Sequence, residues 1–165
     1  VKEIPLTKGR VALVDDEDFI EISKHKWYAN HDTHTIYAQR TPTIEGKQIT
    51  IRMHRYILNA PYGQKVDHKD GNGLNNQRNN LRLCSNSQNG QNCRLRKDNK
   101  SGYKGVYWDS EVNKWASSLG FKNKTIRIGR FTCLIKAAKA YDKKATELYG
   151  EFAVLNFPEA INADN

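Results

Sequence analysis

The chain has 165 residues, 27% of them charged and 38% hydrophobic, with a net charge of +9. That length suits one ordinary domain or two to three small modules with modest cores. No apolar run approaches the roughly 20 residues of a membrane helix and the start at Val1 opens no signal-peptide stretch, so no membrane partner and a cytoplasmic setting are expected.

In chain order, residues 1–52 read as a β-rich module. Gly9 and Arg10 precede the strand Val11-Ala12-Leu13-Val14. Asp16 to Lys24 predicts a short helix, acidic in its first turn, with Phe19, Ile20 and Ile22 available for the core. Trp27-Tyr28-Ala29 pairs with Thr35-Ile36-Tyr37-Ala38 across Asn30-His31-Asp32, and Gln48-Ile49-Thr50-Ile51 alternates as a third strand. His25, His31 and His34 are scattered loop residues with no chemistry assigned.

Residues 53–95 form the second module. Met53 to Leu58 predicts a short helix ending before Pro61, Lys65 to His68 a strand, and Leu81-Arg82-Leu83 a second strand after a Gly/Asn-rich loop. Ser85 supplies an N-cap for a polar helix running through Asn89. Such a ββα unit is too small to bury its own core, so flanking modules or a metal should hold it.

Residues 96–165 open with the polar linker Arg96 to Ser101. Gly102 to Trp108, Lys114 to Phe121 and Lys124 to Phe131 predict three antiparallel strands. Thr132 is placed to cap a helix in which Leu134, Ala137, Ala138, Tyr141, Ala145 and Leu148 recur at helical spacing, with Gly150 as its stop. The fold class is α+β: N-terminal antiparallel strands, a central ββα unit, and a C-terminal three-stranded antiparallel sheet packed on one helix.

Charge is concentrated. Residues 1–60 carry nine Lys and Arg against eight Asp and Glu, whereas residues 91–130 carry ten against three. Tyr103, Tyr107, Trp108 and Trp115 interleave with those cations, a pattern that favours a polyanionic partner. The three cysteines, Cys84, Cys93 and Cys133, are odd in number and lack C-x-x-C spacing, so reduced thiols are expected. Zinc on Cys84, Cys93 and a histidine would need unusual ligand spacing.

The chemistry gathers in Asp67-His68-Lys69-Asp70-Gly71-Asn72-Gly73-Leu74-Asn75-Asn76, followed by Asn80-Leu81-Arg82 and Asn89. Phosphodiester hydrolysis needs an activated water, a cation on the scissile phosphate and help for the departing oxygen. His68 can take a proton near neutral pH. Asp67 offers a hard oxygen for Mg²⁺ or Mn²⁺ and Asn89 a second. Asn80 is placed to orient the His68 ring. Neighbouring strand residues point to opposite faces, so Asp67 and His68 share one site only if the strand ends or bulges there.

These residues resemble the HNH nuclease family, whose Asp-His, Asp-Gly-Asn-x-Leu-Asn-Asn, Asn-Leu-Arg and Gln-Asn pattern is present in order. The resemblance implies His68 as general base, Asp67 and Asn89 as ligands of one Mg²⁺ or Mn²⁺ ion, and Asn80 as the residue orienting His68. Asn89 replaces the histidine that names the family, which favours the harder ions over zinc.

Residues 100–158 resemble the APETALA2-type DNA-binding domain through Ser101-Gly102-Tyr103-Lys104-Gly105-Val106, Ile128-Gly129-Arg130-Phe131, Ala140-Tyr141-Asp142 and Leu155-Asn156-Phe157. That likeness implies a sheet laid in the major groove of double-stranded DNA. Lys104, Tyr107, Trp108, Lys114, Trp115 and Arg127 are the expected DNA-binding face, with sheet core as the open alternative for either tryptophan. The combined expectation is a homing or mobile-element DNA endonuclease in a bacterial or phage-infected cell, monomeric or a weak dimer. The alternative is a DNA-binding regulator with a decayed nuclease unit.

Overall fold

The computed structural model describes residues 1–32, 35–91, 95 and 98–158, in two compact units, Val1–Asn89 and Gly90–Asn165. His34, Cys93, Arg94, Arg96 and Lys97 lie outside the described residues.

In the first unit β1 (Lys2–Pro5) pairs antiparallel with β2 (Val11–Val14). Helix α1 (Asp16–Ser23) carries Asp16, Glu17 and Asp18 in its first turn, where the helix dipole favours acids. Ile22 and Phe19 join the core, but Ile20 is 72% exposed, because so short a helix turns only one stripe inward. Next come β3 (Tyr28–His31) and β4 (Ile36–Arg40), which pair antiparallel as expected, with Ala29 opposite Ala38, but Asn30 and His31, expected in the turn, extend the strand and Trp27 lies before it. The strand expected over residues 48–51 is divided. Lys47 and Gln48 (β6) close a hairpin with β5 (Thr43–Ile44) over Glu45 and Gly46, both at positive φ, and β7 (Ile51–Arg52) joins β4.

Helix α2 (Met53–Ile57) buries Met53, His54 and Ile57. Strands β8 (Lys65–His68) and β9 (Leu81–Cys84) form a two-stranded ladder, and α3 (Asn86–Gln91) follows. Ser85 Oγ accepts from the Gln88 N–H at 3.2 Å while Gln88 Oε1 accepts from the Ser85 N–H at 2.8 Å, a reciprocal capping box that starts α3. One core draws Ile4, Val14, Ile22 and Trp27 together with Met53, Ile57 and Leu81. The β-rich stretch and the small hairpin therefore share a core, which supplies the burial that the hairpin lacks by itself.

The β-rich stretch also fastens the Gly/Asn loop. Leu13 N–H donates to Leu74 O at 2.8 Å, and Leu13 O accepts from Asn76 N–H at 2.8 Å, a one-residue parallel bridge onto β2. Beyond it, Asp15 accepts from the Arg78 N–H at 2.7 Å, and Asp18 takes the Arg78 guanidinium in two bonds of 2.8 and 2.7 Å.

In the second unit β10 (Val106–Asp109), β11 (Lys114–Phe121) and β12 (Lys124–Phe131) form an antiparallel meander against α4 (Leu134–Tyr149). Strand β10 starts later than Gly102, because Gly102 and Gly105 adopt positive φ in the preceding turn. At Gly105 a Cβ would lie 2.1 Å from Tyr141 Cδ2, so only glycine admits that ring. Cys133 rather than Thr132 is the N-cap residue of α4, and Gly150 ends the helix at positive φ. Ala137, Ala138 and Ala145 are fully buried and Tyr141 nearly so, which brings the helix close to the sheet. Asp142 and Asn156 then staple the tail. Asn156 Oδ1 accepts from the Lys104 N–H at 2.7 Å, and Asp142 accepts from the N–H groups of Asn156 and Phe157 at 2.8 and 2.9 Å.

Candidate functional site

The β8–β9 register is unbroken through Asp67 opposite Arg82 and His68 opposite Leu81. The pleat therefore starts Asp67 and His68 from opposite faces of the ladder without a bulge, but the strand ends at His68, and the two side chains stay near enough for the Asp67 charge to act on the imidazole. On one face, the nearly buried Asp67 carboxylate accepts two bonds at Oδ2 from Arg82 Nε and Nη2, at 2.9 and 2.8 Å. Cys84 lies close enough to feel that charge, and its thiol is pushed up by burial first and by Asp67 second. Asn89 Oδ1 is 4.0 Å from Cys84 Sγ, on an exposed residue of α3. Asp67, Arg82, Cys84 and Asn89 thus belong to one neighbourhood.

On the other face His68 is 5% exposed. Its Nε2 lies 3.3 Å from Asn76 Oδ1. The Asn76 amide has only one workable orientation, because its Nδ2 donates to the Leu74 carbonyl at 3.2 Å, and a carbonyl only accepts. Oδ1 therefore faces the imidazole, Nε2 carries the hydrogen in the neutral ring, and the lone pair sits on Nδ1. The ring stands edge-on to His54, with centroids 4.9 Å apart, and 5.8 Å from Tyr37. Burial lowers the His68 pKa against the opposing pull of Asn76, Asp70 and Asp67. The imidazole is therefore neutral at neutral pH, the form a general base needs.

Asn80, expected to orient His68, does other work. Its Nδ2 donates to Asp70 Oδ1 at 3.0 Å and to Asn75 O at 2.8 Å, and its Oδ1 accepts from the Asp70 N–H at 3.1 Å. The Nε2 of His68 is met by Asn76. Asp70 is the centre of the loop, accepting also from the Asn72 N–H and the Asn75 amide, each at 2.8 Å. Burial opposes its ionisation, but these bonds outweigh it and hold the carboxyl below the usual range.

Three partners of the site escaped sequence reasoning: His54, Tyr37 and Asn76. His54 read as one residue of a short helix, Tyr37 as one of a strand, and Asn76 as turn chemistry. The run of two asparagines at 75 and 76 was visible, but which one turns inward depends on the bridge to β2. His54 is pushed down to about 3, by burial first and then by His68, Arg52 and Arg55. Because this folded value lies below the ordinary one, the unfolded chain binds the proton first. The stability His54 contributes is whole above about pH 6.5 and drains as the pH falls toward its folded value. The urea midpoint of the intact chain should fall across that window, and His54→Phe should show a shallower fall. An equally steep fall in the variant would contradict the assignment.

Among the described residues no group of three or more His, Cys, Asp or Glu side chains is placed to hold a metal. The donors that remain, the Asp67 carboxylate and the Asn89 amide oxygen, are hard oxygens that fit Mg²⁺ or Mn²⁺. Such ions keep several waters and take substrate phosphate oxygens as ligands. Arg82 offsets the charge of Asp67, so the donor set fits a loosely held ion.

In the second unit Val106, Trp115 and Phe131 pack toward α4. Trp108 stands directly opposite Trp115, with ring centroids 5.0 Å apart, and so shares the helix-side face; at the strand end it stays 48% exposed. Neither tryptophan is on the open face, which corrects the expected set. Lys104 precedes β10 and lies off the sheet. Tyr107, Lys114 and Arg127 do point away from the helix, and register adds Ser118 and Arg130 beside them. Arg130 Nε is 2.8 Å from Asp109 Oδ2.

The HNH endonuclease family model matches residues 53–91, the stretch from α2 through α3. An uncharacterised HNH endonuclease of Acanthamoeba polyphaga mimivirus is 34% identical over 155 residues, covering 90% of this chain and 76% of that protein. Protein 3.8 of Escherichia phage T7 is 36% identical over 93 residues, 56% of this chain and 76% of that one. Dehydration-responsive element-binding protein 2E of Arabidopsis thaliana is 37% identical over 57 residues, 33% of this chain and 23% of that protein. No solved structure matches significantly. Since the mimivirus relative aligns over nearly the whole chain and the family model falls on the hairpin, loop and helix that carry His68, the chain belongs to the HNH endonuclease family.

Proposed function

We propose that the chain is a metal-dependent DNA endonuclease of the homing or mobile-element type, hydrolysing phosphodiester bonds with a water activated by His68. The observation that carries this reading is the His68 imidazole, neutral through burial and oriented by Asn76, within the matched HNH segment. In this mechanism His68 takes a proton from the attacking water. Asp67 and Asn89 would hold one Mg²⁺ or Mn²⁺ ion, whose chemistry would be to draw charge off the scissile phosphate. Arg82 orients the Asp67 carboxylate. Asn80 keeps the loop closed through Asp70 and through the Lys69 N–H that its carbonyl accepts.

Double-stranded DNA is the proposed partner, held by the open face of the C-terminal sheet through Tyr107, Lys114, Arg127 and Arg130, with Lys104 nearby in sequence. The basic charge of residues 91–130 supports this reading, as does a relative named for binding a dehydration-responsive element. A supercoiled plasmid incubated with the chain and Mg²⁺ should be converted first to the nicked circle, since one protomer carries one such site, and a chelator should stop it. Binding without cutting on any DNA would leave the alternative, a regulator with a decayed nuclease unit.

Arg127→Ala should weaken DNA binding and flatten the dependence of log affinity on log salt by about 0.9, measured by fluorescence anisotropy. An unchanged slope would remove Arg127 from the phosphate contacts. Trp115→Ala, by contrast, should act through the melting temperature of the unit.

A further inference from the structure

His54 has no role in the hydrolysis outlined above, yet its surroundings are unusual for a residue that merely fills the core. It is 4% exposed on α2, and its ring lies 4.9 Å from His68 at 81° and 5.2 Å from Tyr37 at 57°. Its Nδ1 is buried with no hydrogen-bond partner. A phenylalanine or leucine would occupy such a space without leaving a ring nitrogen unsatisfied, so packing alone does not account for a histidine. The ring is held neutral, so it brings no cation to repel a proton arriving on its neighbour. The 3.3 Å contact with Asn76 sets the hydrogen on one nitrogen of His68. The His54 ring stands at 81° to the His68 plane, from an element outside the hairpin and the loop.

We propose that His54 is a positioning residue for the hydrolysis, fixing the plane of the His68 ring so that the tautomer set by Asn76 is presented in one orientation. The inference rests on His68 being the general base. Removing a neighbour that orients a catalytic histidine characteristically costs about 10- to 100-fold in activity. That loss belongs in kcat, because His54 touches no bound DNA in this scheme.

The test uses the whole chain and supercoiled plasmid with Mg²⁺. His54→Phe and His54→Leu are compared with the intact protein by kcat, by KM, by thermal melting, and by the ring ¹⁵N resonances of His68. Two variants are used so that either one, if folded, decides the matter. The expected result is a folded variant with kcat reduced about 10- to 100-fold, KM within about twofold, and His68 resonances that keep the Nε2–H pattern but shift and broaden. A folded variant that cuts at the intact rate, or whose His68 resonances do not move, overturns the proposal. His68→Ala is run in parallel. If it cuts as well as the intact chain, the base assignment falls, and this inference with it. If it is inactive while His54→Phe is undiminished, only the positioning role falls.

Discussion

Replacing His68 with alanine should lower the single-turnover rate of DNA cleavage by about 100- to 10,000-fold, the range a lost general base produces, while DNA affinity stays close to that of the intact chain. The imidazole lies against Asn76, His54 and Tyr37 and is 5% exposed, so its loss also leaves a cavity. Rates therefore need to be compared per folded molecule, below the melting temperature of the variant. Affinity should hold because the sheet face carrying Tyr107, Lys114 and Arg127 belongs to the other compact unit. Cleavage at the intact rate would remove His68 from the chemistry.

Asp67→Ala should be the most destabilising change at the site. Its carboxylate and the Arg82 guanidinium are both nearly buried and joined by two bonds, so alanine leaves an arginine charge without its partner, at a cost of about 3–5 kcal/mol. The double variant Asp67→Ala/Arg82→Met should recover most of that stability, because no charge is then left unpaired, as read by urea denaturation. It should not recover Mg²⁺-dependent cutting if Asp67 is a metal ligand. A double variant that is both stable and active would assign Asp67 to the fold alone.

The two substitutions probe opposite faces of one short ladder, and that division could not be read from the residues in sequence. Adjacent Asp67 and His68 suggested a single cluster, on condition that the strand ended or bulged. The strand does end at His68, and its regular register through Arg82 and Leu81 means that the two side chains leave the last two positions of the ladder from opposite faces. The tryptophans of the second unit show the same dependence on phase. Tyr107 and Trp108 are neighbours of similar character, and only the pairing of Trp108 with the helix-side Trp115 decides which of them faces outward.

What was legible along the chain was the local chemistry. The Asp-Gly-Asn turn, the Ser85 cap, the acidic start of α1, the alanine stripe of α4 and its glycine stop each depend on residues within a few positions of one another. Propensity and capping act over that range, so they are written in the sequence itself. The exchange of Asn80 for Asn76 beside His68, the placement of His54 and Tyr37 around that ring, and the clamp of Arg78 by Asp18 join residues eight to sixty positions apart. Such contacts exist only once β2 has docked the loop and one core has gathered the strands, α2 and the hairpin, because packing rather than local preference selects which side chain turns inward.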